Sequence, residues 1–255
     1  MRSTRNLPDL LNELELTGRS RSHVIDAADI GCTLHRDAMS AFLVMREAAK
    51  GAGLDLRVAS SFRDFDRQLA IWNGKFRGER PMLDRAGNAL DVASLSPEGR
   101  VEAILIWSAL PGASRHHWGT DFDVFDAAAL PERSRLQLVP GEYASDGPFA
   151  PLTSWLDAHM HRFGFFRPYV APNDGGSPRG VSPEPWHLSF APLATRCSNQ
   201  LTPQVLYRAI ESSSIDGREI VLARIEDLYE RFVADVAPAS TASLAVELGD
   251  YRRMV

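Results

Sequence analysis

Cysteine is nearly missing from this chain: its 255 residues hold two, Cys32 and Cys197. Two are too few for a disulfide framework or an all-cysteine zinc site. No stretch approaches the ~20 consecutive apolar residues of a membrane-spanning helix. The opening "MRSTRNLPDLLNELELTGRSRSH" has basic residues, but charges interrupt its apolar part. It lacks the hydrophobic region of a signal peptide, so the expected compartment is the cytoplasm. Long basic runs are missing too, and the net charge is −5, which makes nucleic acid a poor partner. No internal repeat is visible. What is present is ordinary for a globular chain that buries a core, with 44% hydrophobic and 24% charged residues.

Three parts can be distinguished. Residues 1–35 form a mixed, polar N-terminal segment in which "LPDLLNELEL" suits a short helix. Residues 36–200 carry every unusual motif and form the expected core. Residues 201–255 return to helical patterning, an extension expected to pack on that core. There Thr202 suits an N-cap with Pro203 behind it. In "REIVLARIEDLYERFVADV", Ile220, Leu222, Ala223, Ile225, Leu228, Tyr229, Phe232 and Val233 trace one helical stripe, a packing face without chemistry.

The middle part mixes helices and strands. "RDAMSAFLVMREAAKGAG" predicts a helix with Met39, Phe42, Met45 and Ala49 facing inward. "LDLRVASSF" predicts a strand, and "DFDRQLAIWNGKF" a helix with Phe65, Leu69 and Trp72 on one face. "SPEGRVEAILIWSAL" predicts a third helix, broken by Pro111 and Gly112. "TDFDVFD" and "PWHLSFAP" predict two more strands. Long loops at about 73–95, 127–150 and 168–182 are where binding specificity usually resides. The implied fold is α+β, with a small antiparallel sheet flanked by helices and a helical C-terminal extension.

Chemistry concentrates in "SRHHWGTDFDVFD", Ser114 to Asp126. Strand alternation puts Asp121 and Asp123 on one face and Phe122 and Val124 on the other. If the apolar pair faces the core, Asp123 points above the sheet, and His116 enters from the preceding turn. Two ligands do not make a catalytic zinc site, which takes three protein ligands and an open position for water. "EPWHLSF" offers the third in His187, with Glu184 three residues earlier as a general base. Arg63, where a strand passes into a helix in "SSFRDFDRQ", suits stabilisation of an oxyanion. Taken singly, each feature is commonplace: an isolated His-x6-Asp is usually nothing, and a lone Arg is usually a surface ion pair. Three such segments at strand boundaries converge on metal-assisted hydrolysis. His117 reads as a neighbour of the site, and Trp118 and Trp186 as packing walls. His159 and His161 read as solvent-facing helix residues, and His23 and His35 carry no signal.

These segments resemble the VanY-like D-alanyl-D-alanine carboxypeptidases of the LAS metallopeptidases, a group that includes the hedgehog-type zinc fold. Ser114, His116, Gly119 and Asp123 meet the pattern SxHxxGxAxD, and Glu184, Trp186 and His187 meet ExWH. Ser60, Ser61, Phe62, Arg63, Asp64 and Gln68 follow SGYRSxxxQ. The resemblance covers roughly residues 35 to 195. It implies one zinc ion on His116, Asp123 and His187, Glu184 as base and Arg63 at the transition state, with Ser114 and Gln68 binding substrate. Asp121 stands where the pattern has alanine, as a partner to a ligand or a rival for the metal. Ser61 replaces glycine, and Asp64 replaces serine, either holding the Arg63 guanidinium or capping the helix.

The expected activity is removal of terminal D-Ala from peptidoglycan stem peptides or muropeptides, by D,D- or L,D-cleavage. In the cytoplasm a D,D-enzyme would threaten pentapeptide precursors, whereas L,D-trimming of recovered tetrapeptides would not. Two other classes fit the same residues: a zinc-bearing binding module of hedgehog type without turnover, and a cell-wall endopeptidase. Glu184 together with Arg63 argues against the first, since a structural zinc needs neither. The second would favour a wall-binding domain, and none is evident.

Overall fold

A computed structural model describes residues 10–172 and 180–246. Positions 7–9 of the expected first helix lie outside them, as do part of the 168–182 loop and the end of the C-terminal extension. What forms is a single turn, α1 (Glu13–Leu16), closed by a capping box between Asn12 and Glu15. A hairpin of β1 (Val24–Ala27) and β2 (Cys32–His35) follows, within the segment that read as merely polar. It escaped the pattern because the two middle residues of β1 are exposed.

Helix α2 (Arg36–Gly51) buries Met39, Phe42, Met45 and Ala49 as its periodicity predicted. After β3 (Leu56–Ser60) comes α3 (Phe65–Phe76), whose first turn is capped by the Asp64 carboxylate accepting from the Arg67 amide. Asp64 is thus a cap and does not hold Arg63. Helix α4 (Pro97–Leu105) stops short of residue 110. Strand β4 (Asp121–Asp126), α5 (Ala150–His159) and the two-residue β5 (Phe165–Phe166) lead to β6 (His187–Phe190). The strand expected to run through Pro192 ends at Phe190, because α6 (Ala191–Gln200) begins there with Pro192 in its first turn, where a missing N–H costs nothing.

The C-terminal part forms α7 (Pro203–Glu211), α8 (Arg218–Ala223), α9 (Ile225–Tyr229) and α10 (Thr241–Leu244). The expected single stripe is interrupted: the backbone leaves helical values at Arg224, φ −117°. The buried positions Val221, Ile225, Leu228 and Phe232 nonetheless keep helical spacing, and Ala223, which is exposed, lies off that face. Among the described residues no helix is long and apolar enough to cross a membrane.

One antiparallel sheet, in the order β3-β4-β6-β5, organises the molecule. Phe122, Val124, Leu188 and Phe190 point into a core shared with α2 and α5, where Phe42 meets Phe122 edge-on. A second core joins Leu11 and Leu16 to Trp72, Val101, Ile104 and Trp118, and to Leu206, Ile210, Leu228 and Phe232 of the C-terminal helices. Glu102 on α4 ties that contact further, accepting from Arg224 and Arg231. The sheet's other face, opposite Phe122 and Leu188, is left for polar residues.

Candidate metal and peptide-binding site

Strand register brings the candidate ligands together. Asp123 lies directly across from His187 and Asp121 across from Ser189, so all four side chains share the face away from Phe122 and Leu188. His116 reaches the same point from a short 3-10 turn, Arg115–Trp118, that ends at Gly119 with φ +67°. A side chain at Gly119 would lie 2.4 Å from Val24 and 2.8 Å from the His35 amide, so the turn needs glycine. One ligand atom from each of His116, Asp123 and His187 falls within 4.8 Å of the others, and all three residues are buried. Glu184 joins them because a turn bonds the His187 amide to the Glu184 carbonyl, bringing its carboxylate to 3.4 Å from His187 Nδ1.

The imidazoles are oriented by what their other nitrogens touch. His116 Nδ1 donates to the Ser61 carbonyl at 3.0 Å, leaving Nε2 turned toward Asp123, 3.6 Å away. His187 Nε2 donates to Asp121 Oδ1 at 3.1 Å, leaving Nδ1 turned inward. There His187 Nδ1 and Asp123 Oδ1 stand 3.3 Å apart, and neither buried atom has a hydrogen-bond partner. Orphaned buried polar atoms are rare and costly. Two of them aimed at one point, with the free edge of His116, fit a cation, and an N,N,O donor set suits zinc. Electrostatics agree. Burial pulls His116 down to about 3, so it stands neutral, the form that ligates. Burial also acts against a charged His187, yet Asp121, Asp123 and Glu184 together hold its pKa well above the usual value. A place that favours a proton this strongly favours a metal cation in its stead.

Asp121 is fully buried behind His187 and lies outside the three-residue cluster. Its Oδ1 also accepts from Arg115 Nε at 2.7 Å, and its Oδ2 from Thr120 Oγ1 at 2.6 Å. Burial pushes its carboxyl up, but Arg115, His187 and Thr120 outweigh that and hold it well below the usual carboxylate range. Arg115 spends its other donors on Ser189 and Ser198 and lies over the Trp118 ring. Sequence reasoning missed Arg115, which stands at an unspecified position of the pattern SxHxxGxAxD. His117, also fully buried, donates from Nδ1 to the Arg63 carbonyl at 2.6 Å and accepts the Gly112 amide at Nε2. Gly18 packs so closely that a Cβ there would lie 2.3 Å from His117 Nδ1. The N-terminal segment thus braces the turn that carries His116.

The cluster forms the floor of a cleft of about 610 Å³. Arg63, Ser114, Tyr169, Glu184 and Trp186 line it, and the loops flagged in the sequence supply its rim through Leu83, Leu138 and Val181. Tyr169 was not foreseen; its ring meets His187 edge-on at 5.1 Å. Of the two tryptophans, only Trp186 faces the cleft, near-parallel to Trp107, while Trp118 is buried with its indole N–H on the Leu16 carbonyl. Ser114 lines the cleft, its hydroxyl making no cap bond. Gln68 does not line it, which corrects its expected contact with substrate. Both ends of its amide are used, Oε1 by Arg63 at 2.8 Å and Nε2 on the Ala109 carbonyl at 2.8 Å, so it holds Arg63 in place. His159 and His161 lie apart from the cleft and are half-buried, His159 against the Trp155 ring, not solvent-facing.

Burial raises the Glu184 pKa, with Asp123 adding to it and His187 and Arg63 opposing. A carboxylate lifted this way is a stronger base than a free one and better suited to accept a proton.

Comparison with known proteins places this geometry in a family. Residues 31–193 match the family described as VanY, D-alanyl-D-alanine carboxypeptidase. Two Haemophilus influenzae proteins described as uncharacterized are similar to this chain. One is 36% identical over 124 residues, 49% of this chain and 92% of its own length. The other is 45% identical over 98 residues, 37% of this chain and 67% of its own length. Among solved structures, VanYB in complex with D-alanine-D-alanine is 23% identical, covers 75% of this chain and 89% of its own, and has a TM-score of 0.47. The LdcB LD-carboxypeptidase is 17% identical, covers 83% and 78%, and has a TM-score of 0.45. The matched span runs from β2 through β6 and takes in the whole polar cluster, and the chain belongs to the VanY D-alanyl-D-alanine carboxypeptidase family.

Proposed function

We propose that this protein is a zinc-dependent carboxypeptidase that removes the terminal D-Ala from peptidoglycan stem peptides. The observation that carries the reading is the pair of orphaned atoms, Asp123 Oδ1 and His187 Nδ1, beside His116 and within reach of Glu184. His116, Asp123 and His187 would hold one zinc ion, which when bound supplies a Lewis acid to the scissile carbonyl and to water. Glu184 takes a proton from the attacking water and returns it to the leaving amine as the C–N bond breaks. Arg63, fixed by Gln68 and by Ser60 at 3.2 Å, donates to the oxyanion that develops on the carbonyl oxygen. Ser114 lines the cleft and would contact the bound substrate. Trp186, Trp107 and Tyr169 give an apolar surround that excludes water and strengthens these polar contacts.

The test is direct. The zinc-loaded protein is incubated with tetrapeptide and pentapeptide muropeptides, and the products are identified by mass. Release of D-Ala from either supports the reading and separates L,D- from D,D-cleavage. Cleavage within a crosslink instead would make it an endopeptidase. Inertness toward all of them, with zinc bound, would overturn the proposal in favour of a binding module.

A further inference from the structure

Among the described residues, Arg63 on the cleft wall and Lys75 behind it make no ion pair with a carboxylate. The Arg63 guanidinium donates to the neutral groups Gln68 and Ser60. Lys75, seven residues after Gln68 on the same face of α3, points its ammonium at Ser108 Oγ, 2.7 Å away. Among the described residues no carboxylate lies within ion-pair distance of Lys75. Lys75 is only partly exposed, and a charge withdrawn from water without a counter-ion is expensive to keep. Ser108 lines the cleft, and the neighbouring carbonyl of Ala109 is the one Gln68 holds. The α3 face therefore props residues 108–109 with Gln68 at one end and Lys75 at the other.

Hydrogen-bond polarity gives this contact a direction. An ammonium has no acceptor, so Ser108 Oγ must accept from Lys75 and its own proton is left over. No described protein group takes that proton, and Ser108 is one of the residues that line the cleft. A hydroxyl that accepts from a cation becomes a stronger donor in its turn. The wall thus presents a polarised O–H, backed by a positive charge, toward whatever fills the cleft.

Resting on the carboxypeptidase reading, we infer that Ser108, backed by Lys75, binds the free terminal carboxylate of the substrate and so selects chain ends over internal bonds. Ser108 is the contacting residue. Lys75 is a positioning residue that acts through it and supplies the unpaired charge.

The inference is tested by binding in a zinc-loaded Glu184→Ala background, where turnover does not interfere. The probes are a stem tetrapeptide ending in D-Ala and the same peptide as its C-terminal amide. The free acid should bind about 10- to 100-fold more tightly than the amide, the range for a hydrogen bond to a charged group. Ser108→Ala and Lys75→Met should each remove most of that preference, weakening the free acid far more than the amide. Ser108→Thr and Lys75→Arg should restore it, which a folding defect would not allow. Equal affinity for acid and amide, or an acid preference that survives both substitutions, overturns the inference. A preference that follows Ser108 and Lys75 in a protein that cleaves no peptide would sustain it while ending the carboxypeptidase reading.

Discussion

His187 Nδ1 and Asp123 Oδ1 face each other at 3.3 Å across paired strands, both buried and neither hydrogen-bonded. Each has its remaining polar contacts arranged so that this edge stays free. Strand pairing sets this arrangement, since a one-residue slip of either strand would turn its own member of the pair into the core.

The first prediction follows from those free edges. Zinc should bind one ion per chain, and His187→Ala should lose metal and activity together. His161→Ala, in the turn after α5 and away from the cleft, should leave both nearly unchanged. Metal content of folded protein after zinc reconstitution and dialysis is the measurement. A ratio near zero in the wild type would remove the metal site from the account.

Glu184 and Arg63 separate turnover from mere binding. Glu184→Ala should keep its zinc and lose about 10²-fold or more in kcat, the usual effect of removing a general base. Arg63→Ala should also keep zinc and lose about 10²- to 10³-fold, as with other oxyanion donors. Steady-state kinetics beside metal analysis decides this. Loss of metal in either variant would mean that the residue holds the site together instead of acting in the reaction.

That His116, Asp123 and His187 come together was legible because strand alternation and turn position are local properties. Asp123 and Phe122 could be assigned to opposite faces from spacing alone, and the structure puts them there. Helix α2 was legible for the same reason, its four inward residues all being buried. The partners of those residues were not. That His187 Nε2 meets Asp121, or that His117 holds the Arg63 carbonyl, depends on which elements pack together at distances of dozens of residues. Gln68 shows the cost: its motif placed it near substrate, but both ends of its amide are consumed within the protein. Short elements were also invisible, since β5 has two residues and β1 exposes its centre.

Asp121 and Arg115 should behave as a unit. From the family pattern alone, Asp121→Ala restores a common residue and should fold. The structure adds that it would strand Arg115, a fully enclosed guanidinium whose only carboxylate partner is Asp121 among the described residues. Breaking one side of a buried pair costs about 3–5 kcal/mol. Asp121→Ala should therefore melt well below wild type, and its zinc affinity should fall about 10- to 100-fold as His187 loses its orienting acceptor. The double variant Arg115→Met/Asp121→Ala should recover much of the stability but not the zinc affinity. Thermal unfolding and competition with a zinc chelator read the two effects apart. Recovery of both, or of neither, would show that Asp121 acts on fold and ligand through one route.

Lys75 gives the last prediction, in pH. Burial is the main influence and brings its pKa down to about 8; Glu184 opposes this, while Arg63 and Arg80 add to it. Among the described residues those three are the charged groups that bear on the ammonium. Below about 8 Lys75 is protonated and can only donate, so Ser108 Oγ accepts and turns its proton to the cleft. Above that value the neutral amine can itself accept the Ser108 proton, and the donor to substrate is lost with the charge. For peptides with a free terminal carboxylate, kcat/KM should fall as pH rises through about 8, since that ratio reports the free enzyme. The same peptide as an amide should lack this limb, which distinguishes Lys75 from any titration of the metal site common to both substrates. Lys75→Arg should move the limb beyond the accessible range, because a guanidinium stays protonated. Parallel profiles for acid and amide, or a limb unmoved by arginine, would assign the alkaline loss to another group.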